Sequence, residues 1–88
     1  MVEKIVNVQN KLGIHARPAA LLVRTASKFS SDIFLVKNGQ EINGKSIMSV
    51  MALAAEFGSE IVIRAIGEDE EQAVIKLIEL FKNKFEEE

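Results

Sequence analysis

Hydrophobic and polar positions change period several times along the chain, and each change marks an element. Val2, Val6 and Val8 share one side of an alternating stretch, so Val2 to Val8 is predicted as a strand with one buried face. After a loop at Asn10 to Gly13 the spacing turns helical. From Ala16 onward Ala19, Leu22, Val23, Ala26 and then Phe29 fall on one stripe, while Arg17, Arg24 and Lys28 lie off it. Pro18 fits only the first turn of this helix, where a missing N–H has no helical partner to lose.

Ile33 to Lys37 and Gln40 to Asn43 flank Asn38-Gly39, the pair best suited to a two-residue hairpin turn, and are predicted as antiparallel strands. Ser46 occupies an N-cap position ahead of a second short helix with the stripe Val50, Leu53, Ala54 and Phe57, stopped by Gly58. Glu60 to Ile66 is a β-branched strand. Gly67 with Asp69-x-x-Gln72 opens a last helix whose stripe is Val74, Leu77, Ile78, Phe81 and Phe85, and Glu86 to Glu88 are expected to fray. The order strand, helix, strand, strand, helix, strand, helix predicts an α+β fold, a mostly antiparallel sheet with helices packed on one face. Strand order stays open at this level, since a ferredoxin-like arrangement suits the same pattern.

Length and composition narrow the function classes. With 88 residues, 48% of them hydrophobic, the chain is expected to form a single domain over residues 1–88. The longest apolar run, Val50 to Ala55, is far shorter than the roughly 20 residues of a membrane span, and MVEKIVNVQNK has no secretory h-region, so a cytoplasmic protein without membrane contact is expected. The chain has no cysteine and one histidine, which argues against disulfides, thiolate chemistry, a metal site or a cofactor. The net charge of −2 conceals an asymmetry: Met1 to Met48 carries seven Lys/Arg against three acids, and Ser49 to Glu88 four against ten, or +4 and −6. A positive first half steers an acidic or phosphorylated partner. Nucleic acid is disfavoured because Arg17, Arg24, Lys28, Lys37 and Lys45 lack interleaved aromatics.

The chemistry concentrates in GIHARPAA, Gly13 to Ala20. A lone histidine is more often packed or solvated than reactive. His15, however, immediately precedes a helix, where unpaired N–H groups and the helix dipole oppose an imidazolium. That position keeps a ring nitrogen unprotonated and nucleophilic, and neutral imidazole attacks phosphorus. Once phosphorylated, the site turns negative and the same donors favour it. Arg17 adds a permanent charge and a planar fork for phosphate oxygens. The pattern is that of a reversible phosphoryl site on His15 and Arg17.

GIHARPAA followed by GKSIMSVMAL resembles the histidine-containing phosphocarrier (HPr) family of the bacterial sugar phosphotransferase system, over nearly the whole chain. The resemblance implies an open-faced sandwich with strand order 1-4-2-3 and three helices on one face. It implies that His15 takes a phosphoryl group at Nδ1 from Enzyme I, charged by phosphoenolpyruvate, and passes it to EIIA domains of sugar permeases, so that the protein is a monomeric carrier and not an enzyme. It also implies that Ser46, whose serine would otherwise be an ordinary N-cap, is phosphorylated by an ATP-dependent HPr kinase/phosphorylase, and that the product engages a transcriptional regulator in catabolite repression. Many family members carry a small polar residue before the motif glycine, where this chain has Leu12.

The helix after Ser46 is apolar nearly all round, with only Ser49 and Glu56 as a polar edge. A short helix cannot bury both its core stripe and the adjoining apolar arc of Ile47, Met48, Met51, Ala52 and Ala55 against one sheet, so Ile47, Met48 and Met51 are expected to stay partly exposed as an adaptable contact surface. The family places Ala20, Leu21 and Arg24 of the first helix beside it, completing one docking face. Two other functions compete with the sugar carrier: a nitrogen-type regulatory phosphocarrier, against which GKSIM weighs, and an interaction module that is never phosphorylated. A hydrolase lacks a second base or nucleophile in defined relation to His15.

Overall fold

The computed structural model describes residues 1–87. Its elements are β1 (Val2–Asn7), α1 (Ala16–Ala26), β2 (Asp32–Lys37), β3 (Gln40–Asn43), α2 (Ile47–Ala52), β4 (Glu60–Ile66) and α3 (Glu70–Lys82), followed by a turn of 3-10 helix at Lys84–Glu86. The four strands form one antiparallel sheet in the order β1-β4-β2-β3. The register pairs Ile5 with Val62, Val62 with Val36 and Val36 with Glu41. Ile33, Leu35, Ile61, Ile63 and Ala65 therefore point to one face, where all are buried. Ala19, Leu22 and Ala26 of α1, Val50 of α2, and Ala73, Val74, Leu77 and Phe81 of α3 close the core over that face. On the opposite face Arg64 pairs with Glu3 and Glu41, so this cation is neutralised across the sheet.

The hairpin forms as its turn dictates. Asn38 (φ 51°) and Gly39 (φ 82°) both adopt the positive φ that a type I′ turn requires.

Three expectations about element ends are corrected. The second helix stops at Ala52 instead of reaching Gly58: Leu53 is its C-cap and Ala54 is left-handed (φ 54°). Lys37 Nζ donates to the released carbonyls of Leu53 (3.5 Å) and Ala54 (3.0 Å). The early stop frees the Ala55 carbonyl for Ile14 N–H (2.8 Å), while Gly58 N–H donates to Val8 O (2.9 Å), tying this loop to the end of β1. Consequently Ala55 is buried, whereas Ala54 and Phe57, expected in the core stripe, are exposed.

The last helix likewise ends at Lys82, before Phe85. Lys84, Phe85 and Glu86 are all left-handed, which returns the chain so that Phe85 is buried edge-to-face on Phe81, ring centroids 4.8 Å apart. Glu86 and Glu87, expected to fray, lie in and just after this turn, and Glu87 makes side-chain contacts; Glu88 lies outside the described residues.

Third, Asp69 makes no capping bond within α3. Its carboxylate crosses to the start of β2, accepting from Ser31 Oγ and from the N–H groups of Ser30 and Ser31 (both 2.9 Å). The Ser31 hydroxyl and then the Ser30 N–H hold the Asp69 carboxyl at about 2, below its ordinary 3.8. With the folded value depressed, ionised Asp69 stabilises the fold at neutral pH, and the contribution fades as pH falls from 3.8 through about 2. Asp69→Asn is expected to lower the Tm by several degrees near neutral pH and by much less near pH 2. Thermal melts at the two pH values check this, and an equal difference at both counts against it.

Candidate functional site

His15 stands at the N-cap of α1 with an extended backbone (φ −83°, ψ −166°), and no side chain among the described residues caps the helix. Its carbonyl accepts from Ala19 N–H at 2.9 Å, closing the first turn. Pro18, third in the helix, carries no N–H, so the open donors at this end belong to Ala16 and Arg17.

The loop is fixed on both sides of the histidine. Upstream, Ile14 is buried and bonded to Ala55 O, and Gly13 (φ +72°) passes so close to Ala55 and Glu56 that a side chain has no room. Asn10, itself buried, donates through Nδ2 to Gly13 O at 2.5 Å. Downstream, Pro18 and Ala19 are buried in the core. The imidazole is left half-buried between these anchors, with 37% of its side chain exposed.

Its Nε2 lies 3.1 Å from Oε2 and 3.4 Å from Oε1 of Glu87. Oε1 also accepts from Asn10 Nδ2 at 3.2 Å. Nothing in the sequence pattern signals this carboxylate, which is 72 positions from His15 and arrives only through the left-handed turn. Arg17 is exposed and makes no ion pair among the described residues. Lys11, Leu12, Arg17, Glu86 and Glu87 line a shallow groove of about 300 Å³. A larger groove, about 670 Å³, lies at the other end of α3, but Glu68, Asp69, Glu70 and Glu71 give it a sign hostile to phosphate.

The second predicted site also has definite geometry. Ser46 caps α2, its Oγ accepting from Ser49 N–H at 3.3 Å, and the residue is half-buried. On α2 Ile47 is 40% exposed, Met48 77% and Met51 43%. Ala20 and Leu21 are half-buried and Arg24 exposed on α1, which packs against α2. Leu12, 77% exposed in the groove beside Arg17, and Phe57 add apolar surface that periodicity did not anticipate. No helix among the described residues is long and apolar enough to cross a membrane.

A four-stranded sheet ordered β1-β4-β2-β3, covered by helices on one face and carrying a histidine at an uncapped helix N-terminus, defines a class of small open-faced sandwiches with an accessible imidazole. The chain belongs to the HPr family of the phosphotransferase system: a family model described as "PTS HPr component phosphorylation site" matches residues 2–83. Phosphocarrier protein HPr of Treponema pallidum (strain Nichols) is 53% identical over 88 residues, all of each chain. The crystal structure of HPr-C-His from Thermoanaerobacter tengcongensis is 48% identical, superposes with a TM-score of 0.97, and is matched over 100% of this chain and 99% of that one. The solution structure of Crh, described as the Bacillus subtilis catabolite repression HPr, is 48% identical with a TM-score of 0.69, over 91% of this chain and 95% of that one. Membership supports a phosphocarrier role in the phosphotransferase system. The strand order and helix placement implied by GIHARPAA and GKSIMSVMAL are those observed.

Proposed function

We propose that the chain is a stoichiometric phosphoryl carrier in which His15 takes a phosphoryl group from phospho-Enzyme I and gives it to EIIA domains of sugar permeases. The observation that supports this most strongly is the imidazole at the uncapped start of α1, next to open N–H groups and to Arg17, which makes no ion pair among the described residues. A phosphoryl group on His15 meets the positive end of the helix dipole and the guanidinium fork of Arg17. The groove is shallow and its walls carry both signs of charge. Such a site holds phosphate moderately, as a two-way relay requires, because tight binding of the loaded state would oppose release. Mixed with an EIIA acceptor, the loaded chain is expected to pass on one phosphoryl group per molecule. Release of inorganic phosphate in place of transfer would overturn the carrier reading.

Ser46 is proposed as a regulatory site for an ATP-dependent HPr kinase/phosphorylase, its product being read by a catabolite-control transcriptional regulator. The description of Crh supports this reading. The docking face is proposed to comprise Ala20, Leu21 and Arg24 with Ile47, Met48 and Met51, a mainly apolar surface on two packed helices. A phosphate at Ser46 sits at the start of α2, where the helix tolerates it, yet adds negative charge at the edge of an apolar contact with an acidic partner. Ser46→Asp is expected to slow His15 loading by about tenfold without a loss of Tm. An unchanged loading rate in a stopped assay with Enzyme I counts against the regulatory reading.

A further inference from the structure

The contact between Glu87 and His15 has a chemical consequence at the opposite side of the ring. A carboxylate can only accept, so two oxygens at 3.1 and 3.4 Å from Nε2 require the imidazole hydrogen on Nε2. In the neutral ring Nδ1 is then the bare nitrogen. We propose that Glu87 is a positioning residue that fixes the His15 tautomer and so keeps bare the Nδ1 that the family resemblance already implies as acceptor, an inference that rests on the carrier reading.

The carboxylate is itself held in place. Phe85, buried on Phe81, anchors the left-handed turn that delivers Glu87. Three successive left-handed residues are unfavourable for L-amino acids, so the turn persists only because packing over-determines it. Asn10 supplies the second restraint: Nδ2 donates both to Gly13 O and to Glu87 Oε1. Two acceptors on one side settle the orientation of that amide, and Asn10 Oδ1 meets no donor among the described residues. Asn10 thus joins the loop carrying His15 to the carboxylate that orients it. Glu87 lies beyond residues 2–83, the segment matched by the family model, so this restraint comes from outside that segment.

The transfer step balances with the proton in place. The Nδ1 lone pair forms the bond to phosphorus as the bond from phosphorus to the donor's leaving atom breaks, its electron pair staying with the donor. The Nε2 hydrogen is not lost, so the ring becomes an N-phosphoryl imidazolium, and the Glu87 carboxylate carries the matching charge beside it. In the onward step the pair returns to Nδ1 and the neutral tautomer reappears.

Ring-nitrogen NMR of the neutral His15 in the unphosphorylated protein tests this, with loading by phospho-Enzyme I measured alongside. Wild type is expected to be predominantly the Nε2–H tautomer. Glu87→Ala is expected to shift the ring towards a mixture of tautomers and to slow loading about tenfold, the worth of a hydrogen bond to a charged group. Glu87→Gln, whose amide oxygen still accepts, is expected to keep the wild-type tautomer. An unchanged tautomer ratio in Glu87→Ala, with backbone amide spectra showing the native fold, overturns the inference whatever the loading rate. If the tautomer shifts as expected but wild type never loads, the carrier reading fails and the assignment of Glu87 to the tautomer stands.

Discussion

Gly13→Ala is expected to lower the Tm by roughly 15 °C and to disorder the His15 loop, while Gly58→Ala costs only a few degrees. Both glycines are left-handed, at φ +72° and +87°, so an added side chain meets the same backbone penalty of about 1 kcal/mol at either position. They differ in space. A Cβ on Gly13 falls 2.5 Å from the Ala55 carbonyl oxygen and 2.9 Å from Glu56 Cα, both backbone atoms, whereas nothing lies within 4 Å of one on Gly58. Backbone cannot rotate away as a side-chain tip can, so the clash adds overpacking of about 2 kcal/mol and threatens the Ile14 to Ala55 hydrogen bond. Thermal melts of the two variants separate the contributions, and equal losses would show that packing against the loop after α2 has no part in holding the site.

His15→Ala is expected to abolish phosphoryl acceptance while leaving the fold intact. The ring is half-buried, supplies no capping bond to α1, and among the described residues its one polar contact is with Glu87, so its loss is expected to change stability by no more than about 1 kcal/mol. The loop survives because its anchors are Ile14, Pro18, Ala19 and the Asn10 amide, none of which depends on the imidazole. No other side chain replaces its chemistry. Ser46 belongs to a different helix start, and among the described residues its hydroxyl is bonded to the Ser49 N–H and to no base. A protein that keeps its Tm and loses all loading separates chemistry from folding. Residual loading at a comparable rate would move the acceptor elsewhere.

Much of this was legible in the sequence because the decisive signals are local. Asn38-Gly39 encodes its own turn, and the hairpin strand Gln40 to Asn43 and the later strand Glu60 to Ile66 begin and end where pattern places them. Pro18 and Ser46 mark helix starts by the groups they lack or supply. Strand order required the family resemblance, since the alternation that sends Ile61 and Ile63 inward is indifferent to which strand lies alongside. The failures are long-range. Apolar spacing alone carries the second helix on to Phe57, but the bond from Ile14 to Ala55 demands that it unwind sooner. Asp69 reads as a cap in a sequence window, yet Ser31, 38 positions away, is its partner. Glu87 reads as part of a fraying charged tail because neither Lys84 nor Phe85 nor Glu86 is a residue type that announces a left-handed turn.

The most direct measurement is intact-mass analysis of the wild-type chain after incubation with phosphoenolpyruvate and active Enzyme I, with the product then exposed to acid and to alkali. A phosphoramidate on imidazole differs from a serine ester in being lost in acid and kept in alkali. The account predicts one added phosphoryl group per chain with that lability. No adduct on a folded chain, or an acid-stable adduct, would contradict it.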